Sequence, residues 1–235
     1  MAAFWGSTSR SMTIPVALSI DLPSKRVMRT FIDGKDIVVW RSTSGQLSAW
    51  ENRCPHRGMR LSHGFVRGEN LACLYHGWHY GKAGNCTYIP AHPDMEPPAT
   101  IQPAKYGVTE QDNVIWVSVT DAVKPATLPA DLAPLRSLTF QASPQDIIAA
   151  VQAAPCQGNP VRTVETGVDR ILCQIDGMGA SRTIALLFNA TAPDATVAHV
   201  LANSGAGAGE KSILSRWCEH LRRVAETLAT QKATA

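Results

Sequence analysis

No stretch of the 235-residue chain comes near the roughly 18 consecutive apolar residues that a membrane-spanning helix requires, so no membrane anchor of that kind is expected. Charge is scarce as well. Asp, Glu, Lys and Arg make up 17% of the residues, and 22 basic against 19 acidic side chains leave a net +3, too weak a bias to point by itself to nucleic acid. Low charge combined with 45% hydrophobic residues excludes a mainly disordered or collagen-like chain. A secretory leader is not expected: the apolar stretch from Ile14 to Ile20 is interrupted by Pro15 and Ser19, and no small-residue cleavage site follows cleanly. The glycines from Gly205 to Gly209 lack a Gly-Lys-Ser/Thr ending or dinucleotide spacing, so they read as a flexible turn, not a phosphate cradle. A chain of this length can bury one full core or two small ones without disulfide staples. The six cysteines therefore imply no bridges, a reducing, cytoplasmic location is expected, and Cys86, Cys156, Cys173 and Cys218 read as small buried apolar side chains.

What is present divides the chain by pattern. From Val27 to Thr120 the apolar runs are short and rich in β-branched and aromatic residues, at Val27 to Ile32, Ile37 to Arg41, Leu47 to Trp50 and Val114 to Val119. Asp33-Gly34 and Ser44-Gly45 fall where hairpin turns belong. This region predicts an antiparallel β domain over residues 13–120, with a loop-dominated stretch from Arg53 to Tyr88 too irregular for strand ladders. Prolines and alanines then suggest a linker over 121–137. The region 138–232 changes character. A short strand is expected at Leu138 to Gln141, and Ser143-Pro144-Gln145-Asp146 forms a capping box ahead of a short helix. Strands are expected at Val161 to Glu165, Arg170 to Ile175, Thr183 to Phe188 and Thr196 to Leu201. A final helix carries Ile213, Leu214, Trp217, Leu221, Val224 and Leu228 at helical spacing. The fold class is thus α+β: an N-terminal all-β domain, then a small antiparallel sheet with a long C-terminal helix.

Two short segments carry the chemistry. Cys54-Pro55-His56 is followed, after sixteen residues, by Cys73-Leu74-Tyr75-His76. Two thiolates and two imidazoles suit a tetrahedral zinc ion, and they suit equally a binuclear iron–sulfur cluster with cysteines on one iron and histidines on the other. A zinc finger usually brackets its metal with a cysteine pair and then a histidine pair, whereas here each segment supplies one Cys and one His in the same order. Gly58 and Gly77, just beyond the histidines, permit tight turns that aim backbone amides at sulfur.

With these residues the region resembles the Rieske [2Fe-2S] proteins, and more narrowly the N-terminal domain of Rieske non-haem iron oxygenases, over about residues 13 to 120. Arg57, Gly58, Gly77, Trp78, Tyr80 and Ile89-Pro90 match what such domains show. The resemblance implies one [2Fe-2S] cluster per chain, with Cys54 and Cys73 on the inner iron and His56 and His76 on the outer, solvent-nearer one. Respiratory Rieske proteins carry an extra disulfide where this chain has Met59 and Tyr75, so the resemblance is to the lower-potential, oxygenase-associated branch. Tyr75, Trp78 and Tyr80 are expected either to shield the cluster, with one of them donating a hydrogen bond to sulfur, or simply to pack in the core. His63, His79 and His92 are expected to be structural or at the surface.

The resemblance also implies a second domain holding a mononuclear iron through Asp-x2-His-x3-4-His, and nothing after Thr120 matches that pattern. Only His199 and His220 occur there, with Asp194 and Glu219 nearby, and both histidines are expected at surface or interface positions. The region looks like a shortened helix-grip domain. The expected function is electron transfer, as a carrier or accessory subunit accepting electrons from a reductase and passing them to a catalytic oxygenase partner, with no catalytic residue of its own, no nucleic acid, and a possible homo- or hetero-oligomer. The alternatives are a compact oxygenase acting on a small aromatic or methylated substrate, and a regulatory module that uses its cluster as a redox sensor.

Overall fold

A computed structural model describes residues 13–120, 122–177 and 181–234. The N-terminal stretch considered for a leader thus lies outside the described residues up to position 12, as does Asp121, where the linker was expected to begin.

The first half is built on a six-stranded antiparallel sheet formed by β1 (Thr13–Leu18), β2 (Val27–Ile32), β3 (Lys35–Arg41), β4 (Leu47–Glu51), β9 (Lys105–Gln111) and β10 (Val114–Ser118), in the order β1-β10-β9-β4-β3-β2. Asp33 and Gly34, with φ of 49° and 75°, form the two-residue turn between β2 and β3 that the right-handed twist of a hairpin favours. Between β4 and β9 the chain forms a second, four-stranded sheet: β5 (Phe65–Arg67), β6 (Asn70–Ala72), β7 (His79–Gly81) and β8 (Cys86–Tyr88). The stretch from Arg53 to Tyr88 is therefore not free of ladders as expected. Each of its strands is three residues long, too short for alternation to register in the sequence.

The second half is a five-stranded antiparallel sheet of β11 (Leu132–Phe140), β12 (Val161–Thr166), β13 (Arg170–Ile175), β14 (Arg182–Ala192) and β15 (Ala195–Asn203), in the order β11-β15-β14-β13-β12. It carries α1 (Pro144–Ala153) and α2 (Ala208–Ala233). Ser143 caps α1 as expected: its hydroxyl accepts from the Asp146 amide at 3.2 Å, and the Asp146 carboxylate accepts from the Ser143 amide at 3.3 Å. Lys232 closes on the same carboxylate and ties the end of α2 to the start of α1. On α2, Leu214, Trp217 and Leu221 are fully buried, and the Trp217 indole donates to the Ala154 carbonyl at 2.8 Å.

β11 begins at Leu132, inside the stretch expected as linker, although it contains Pro134. It is an edge strand, and its register slips between Pro134 and Arg136, so the missing amide falls at a bulge. The same device admits Pro15 into β1, the edge of the other sheet, where the register slips between Pro15 and Ala17.

β14 is buried on both faces. Ile184, Leu186 and Phe188 join the core beneath the helices, together with Phe140, Ile147, Trp217 and Leu221. Ala185 and Leu187 face the other way and pack with Leu18, Val114 and Trp116 of the six-stranded sheet. The Asn189 amide donates to the Thr30 hydroxyl at 3.0 Å across this seam. His199 lies in the seam too, 2% exposed. Ser137 donates to the Asp21 carboxylate, so the His199 Nδ1, 2.8 Å from that hydroxyl, is the donor to it, while Nε2 is buried with no hydrogen-bond partner. Helix α2 packs on the opposite face of the sheet, so the sheet separates His199 from His220.

Burial pulls the His199 imidazole down to about 4 and outweighs the opposing attraction of Asp21. A histidine whose folded value lies below its unfolded one leaves stability intact above the unfolded value, near pH 6.5, and drains it as pH falls toward the folded one. Between pH 7.5 and 4.5 the wild type is expected to lose about 2 to 3 kcal/mol of unfolding free energy that His199→Gln does not lose. Urea unfolding of both proteins at the two pH values measures the difference, and equal losses would exclude His199 as the cause.

Candidate iron–sulfur site

Two turns of the same design hold the four residues singled out by the sequence. In the first, the Cys54 amide donates to the Met59 carbonyl at 2.8 Å and the Gly58 amide to the Cys54 carbonyl at 2.8 Å. In the second, the Cys73 amide donates to the Trp78 carbonyl at 2.9 Å and the Gly77 amide to the Cys73 carbonyl at 3.0 Å. Gly58 and Gly77 occupy equivalent positions, with φ of 73° and 68°, where a side chain would strain the backbone. A Cβ at Gly77 would come within 3.1 Å of Pro90, so the Ile89-Pro90 pair closes over the second turn.

The first turn is anchored from below by Asn52, buried at 3% exposure. Its amide group donates to Asp36 at 2.9 Å and to Ser62 at 2.9 Å, and its oxygen accepts from the Ser62 amide at 2.7 Å. Sequence reading passed over Asn52, because an asparagine before a loop carries no sign of burial.

Both turns bring their sulfurs inward and their imidazoles outward. Cys54 and Cys73 are buried free thiols within hydrogen-bonding reach of one another. Donation from the Cys73 thiol holds Cys54 well below the ordinary thiol range despite desolvation; the Tyr80 hydroxyl, 3.1 Å away, and the backbone of His56 and Arg57 add to this. Cys73 is raised, because it supplies that proton, is buried, and would ionise beside a negative sulfur; the backbone of Tyr75 and His76 works against this. The two turns thus aim amides at both sulfurs. Tyr80 is raised by burial and by its bond to Cys54, so it stays a neutral donor. Of the three aromatic candidates, Tyr80 is the one at sulfur.

His56 and His76 stand together on the outer side, ring centroids 4.7 Å apart. His56 is half-buried and stacks on Trp78 at 4.1 Å with planes 6° apart; exposed His76 stacks on Tyr75 at 3.8 Å. Desolvation, followed by the neighbouring His76, lowers the His56 imidazole below its ordinary range. His63, His79 and His92 are not in this pair: His63 and His92 are exposed, and His79 sits in β7 against Tyr88. Cys86 lies in the apolar cluster behind the sulfurs, and Cys156, Cys173 and Cys218 in the core of the second half.

Residues 12–112 match the Rieske [2Fe-2S] domain family, and this part of the chain is a Rieske [2Fe-2S] domain homologous to those of Rieske non-haem iron oxygenase systems. It is 42% identical over 106 residues to oxidoreductase NdmD of Pseudomonas putida and 41% identical over 100 residues to 4beta-methylsterol monooxygenase of Methylococcus capsulatus. Those matches cover 45% and 41% of this chain but only 18% and 27% of the relatives, so the matched segment spans less than a third of either relative's length. The fold extends further. The structure of dicamba monooxygenase bound to dicamba superposes with a TM-score of 0.74 at 15% identity, covering 94% of this chain and 88% of that one. NdmA from Pseudomonas putida CBB5 gives 0.71 at 16% identity, covering 91% and 80%. No helix among the described residues is long and apolar enough to cross a membrane.

Gly77→Ala is expected to destabilise the fold by about 1 to 2 kcal/mol, more than Gly68→Ala, which meets the same left-handed strain but no neighbour within 4 Å. Chemical denaturation of the two variants reads the difference. Equal losses would show that contact with Pro90 does not constrain the second turn.

Proposed function

We propose that Cys54 and Cys73 hold one iron, and His56 and His76 the other, of a single [2Fe-2S] cluster, and that the protein carries single electrons from a reductase to a catalytic non-haem iron centre on a partner oxygenase. The observation that carries this reading is the pairing: two buried sulfurs in equivalent turns, with amides aimed at them, beneath two imidazoles that meet at the surface. Among the described residues no three His, Cys, Asp or Glu side chains form a group able to hold a metal ion. A binuclear cluster needs no such group, since each iron takes two protein ligands and completes its coordination with bridging sulfide. Such a cluster supplies reversible one-electron transfer. The protein's part is to keep water from the sulfurs with Leu61, Leu71 and Ile89, to donate from Tyr80, and to present the His76 edge outward as the route for the electron.

The superposition on dicamba monooxygenase and NdmA supports the second reading, a compact oxygenase acting on a small aromatic or methylated substrate. The arrangement of the second half weighs against it. The space between the sheet and its helices is filled by Leu138, Phe140, Ile147, Leu186 and Trp217, and His199 and His220 lie on opposite sides of the sheet. A reducing, cytoplasmic setting fits six free, buried cysteines.

Iron and acid-labile sulfide, measured on anaerobically purified protein supplied with ferrous iron and freed of unbound metal, test the two readings. Two irons to two sulfides are expected, and three to two would establish the oxygenase. Substituting Cys54, His56, Cys73 or His76 by Ala is expected to abolish the cluster's visible and EPR signals, while His63→Ala and His79→Ala retain them; loss in either of the latter would refute the four-ligand set. Tyr80→Phe is expected to retain the cluster and lower its midpoint potential, because it removes a donor from sulfur and so destabilises the reduced, more negative state. An unchanged potential in redox titration would exclude that bond as a determinant.

A further inference from the structure

The surface around the two imidazoles has a composition different from the rest of the molecule. Between Arg53 and Tyr88 the chain has five basic residues, Arg53, Arg57, Arg60, Arg67 and Lys82, against the single acidic Glu69. Glu69 is already engaged, accepting from the Ser44 amide at 3.0 Å and its hydroxyl at 2.7 Å. Asp94 and Glu96, on the exposed loop beyond Pro90, reduce the excess but leave it positive. Of the eight large apolar side chains that solvent reaches among the described residues, Leu74 (55% exposed), Tyr75 (57%), Phe65, Tyr88 and Met95 belong to this segment or the loop after it, while Ile20, Val164 and Val168 lie elsewhere. Leu74 and Tyr75 are the residues immediately before His76, so the apolar centre lies on the route that electrons take to and from the cluster.

Beside the first turn a groove of about 450 Å³ is lined by Lys35, Arg53, Gly58, Arg60, Asp36 and Glu51. Asp36 is held by Arg29 at 2.8 Å and approached by Arg60 at 3.9 Å, so its charge is answered within the chain, which leaves Lys35 and Arg53 against Glu51 in the groove. An apolar centre of tyrosine and leucine with an arginine rim is the composition of a protein-binding patch, and arginine forks pair with carboxylates in two-pronged fashion.

We propose that this face, centred on Leu74 and Tyr75 and rimmed by Arg53, Arg57 and Arg60, docks the acidic face of a small electron-transfer protein that delivers the electron, with carboxylates of the partner seated on the groove beside Gly58. The proposal rests on the electron-carrier reading above and adds the partner's chemistry. It fixes three observables. Reduction by an acidic donor is fast at low salt and slows steeply as salt rises, because attraction between opposite charges steers the encounter. Reversing the rim charges removes both the speed and the salt dependence. Trimming the apolar centre slows transfer but leaves the salt dependence in place.

The test is stopped-flow reduction of the oxidised, cluster-loaded full chain by a reduced acidic plant-type [2Fe-2S] ferredoxin, over about 20 to 200 mM salt. Wild type is compared with Arg53→Glu, Arg53→Glu/Arg60→Glu, Leu74→Ser and, on the far side of the molecule, Arg223→Glu. The rim variants are expected to react about tenfold or more slowly at low salt and to lose the salt slope, with their visible and EPR spectra and their reduction by dithionite unchanged. Arg223→Glu is expected to behave as wild type. Rates indifferent to both salt and rim charge, on a chain whose cluster dithionite reduces normally, would overturn the docking face and leave the carrier reading standing. A chain that binds no cluster would overturn both. A concentration-dependent dimer dissolved by the rim variants would assign the face to a second copy of this chain and overturn the acidic partner.

Discussion

Two cysteine sulfurs are buried side by side, and the negative charge favoured on Cys54 is tolerable there only because donors surround it. Each turn satisfies its own backbone with two hydrogen bonds, and the amides left over point at sulfur. A turn of this shape demands a left-handed residue in its fifth position, which explains Gly58 and Gly77, and a lid over the second glycine, which explains Pro90. Tyr80 completes the set of donors from beneath, and Asn52 fixes the approach of the chain. The rest of the first half holds this arrangement in place: the six-stranded sheet supplies the two ends from which the turns and their small sheet project.

The pairing also separates two environments within a few ångströms. The sulfur side is apolar, walled by Leu61, Leu71 and Ile89, while the imidazole side opens to water through His76. His56 and His76 sit in corresponding turns but not at corresponding positions, being two and three residues after their cysteines. The one-residue offset is matched by their stacking partners: His56 leans on Trp78 from the other turn, and His76 on its own neighbour Tyr75. The two rings meet edge to face despite unequal backbone starting points.

Much of this was legible in the sequence, and the reasons differ for what was not. The cysteine and histidine spacing, the glycines and the turn at Asp33-Gly34 are local signals, and each appears where the residues place it. The capping box and the α2 stripe likewise follow from short-range rules. Long-range pairing hid the remainder. Pro15 and Pro134 look like strand breakers, yet each sits on a sheet edge at a bulge, where no ladder bond is lost. β9, with its mixed sequence from Lys105 to Gln111, is a strand because β10 and β4 flank it, not because of its own propensity. Asn52 and Tyr80 look ordinary until the fold shows what they face.

β14 lies between two cores, and the alternation along Ile184, Ala185, Leu186, Leu187 and Phe188 assigns successive residues to opposite sides. Its neighbours on one side belong to the helical half and on the other to the half that carries the cysteine and histidine turns. A change of volume at Leu187 must be absorbed by Trp116 and Leu18, residues of a different sheet and more than sixty positions away in the chain. The two halves are therefore mechanically coupled: whatever alters the packing of the second is felt by the first, even though the chemistry sits at one end.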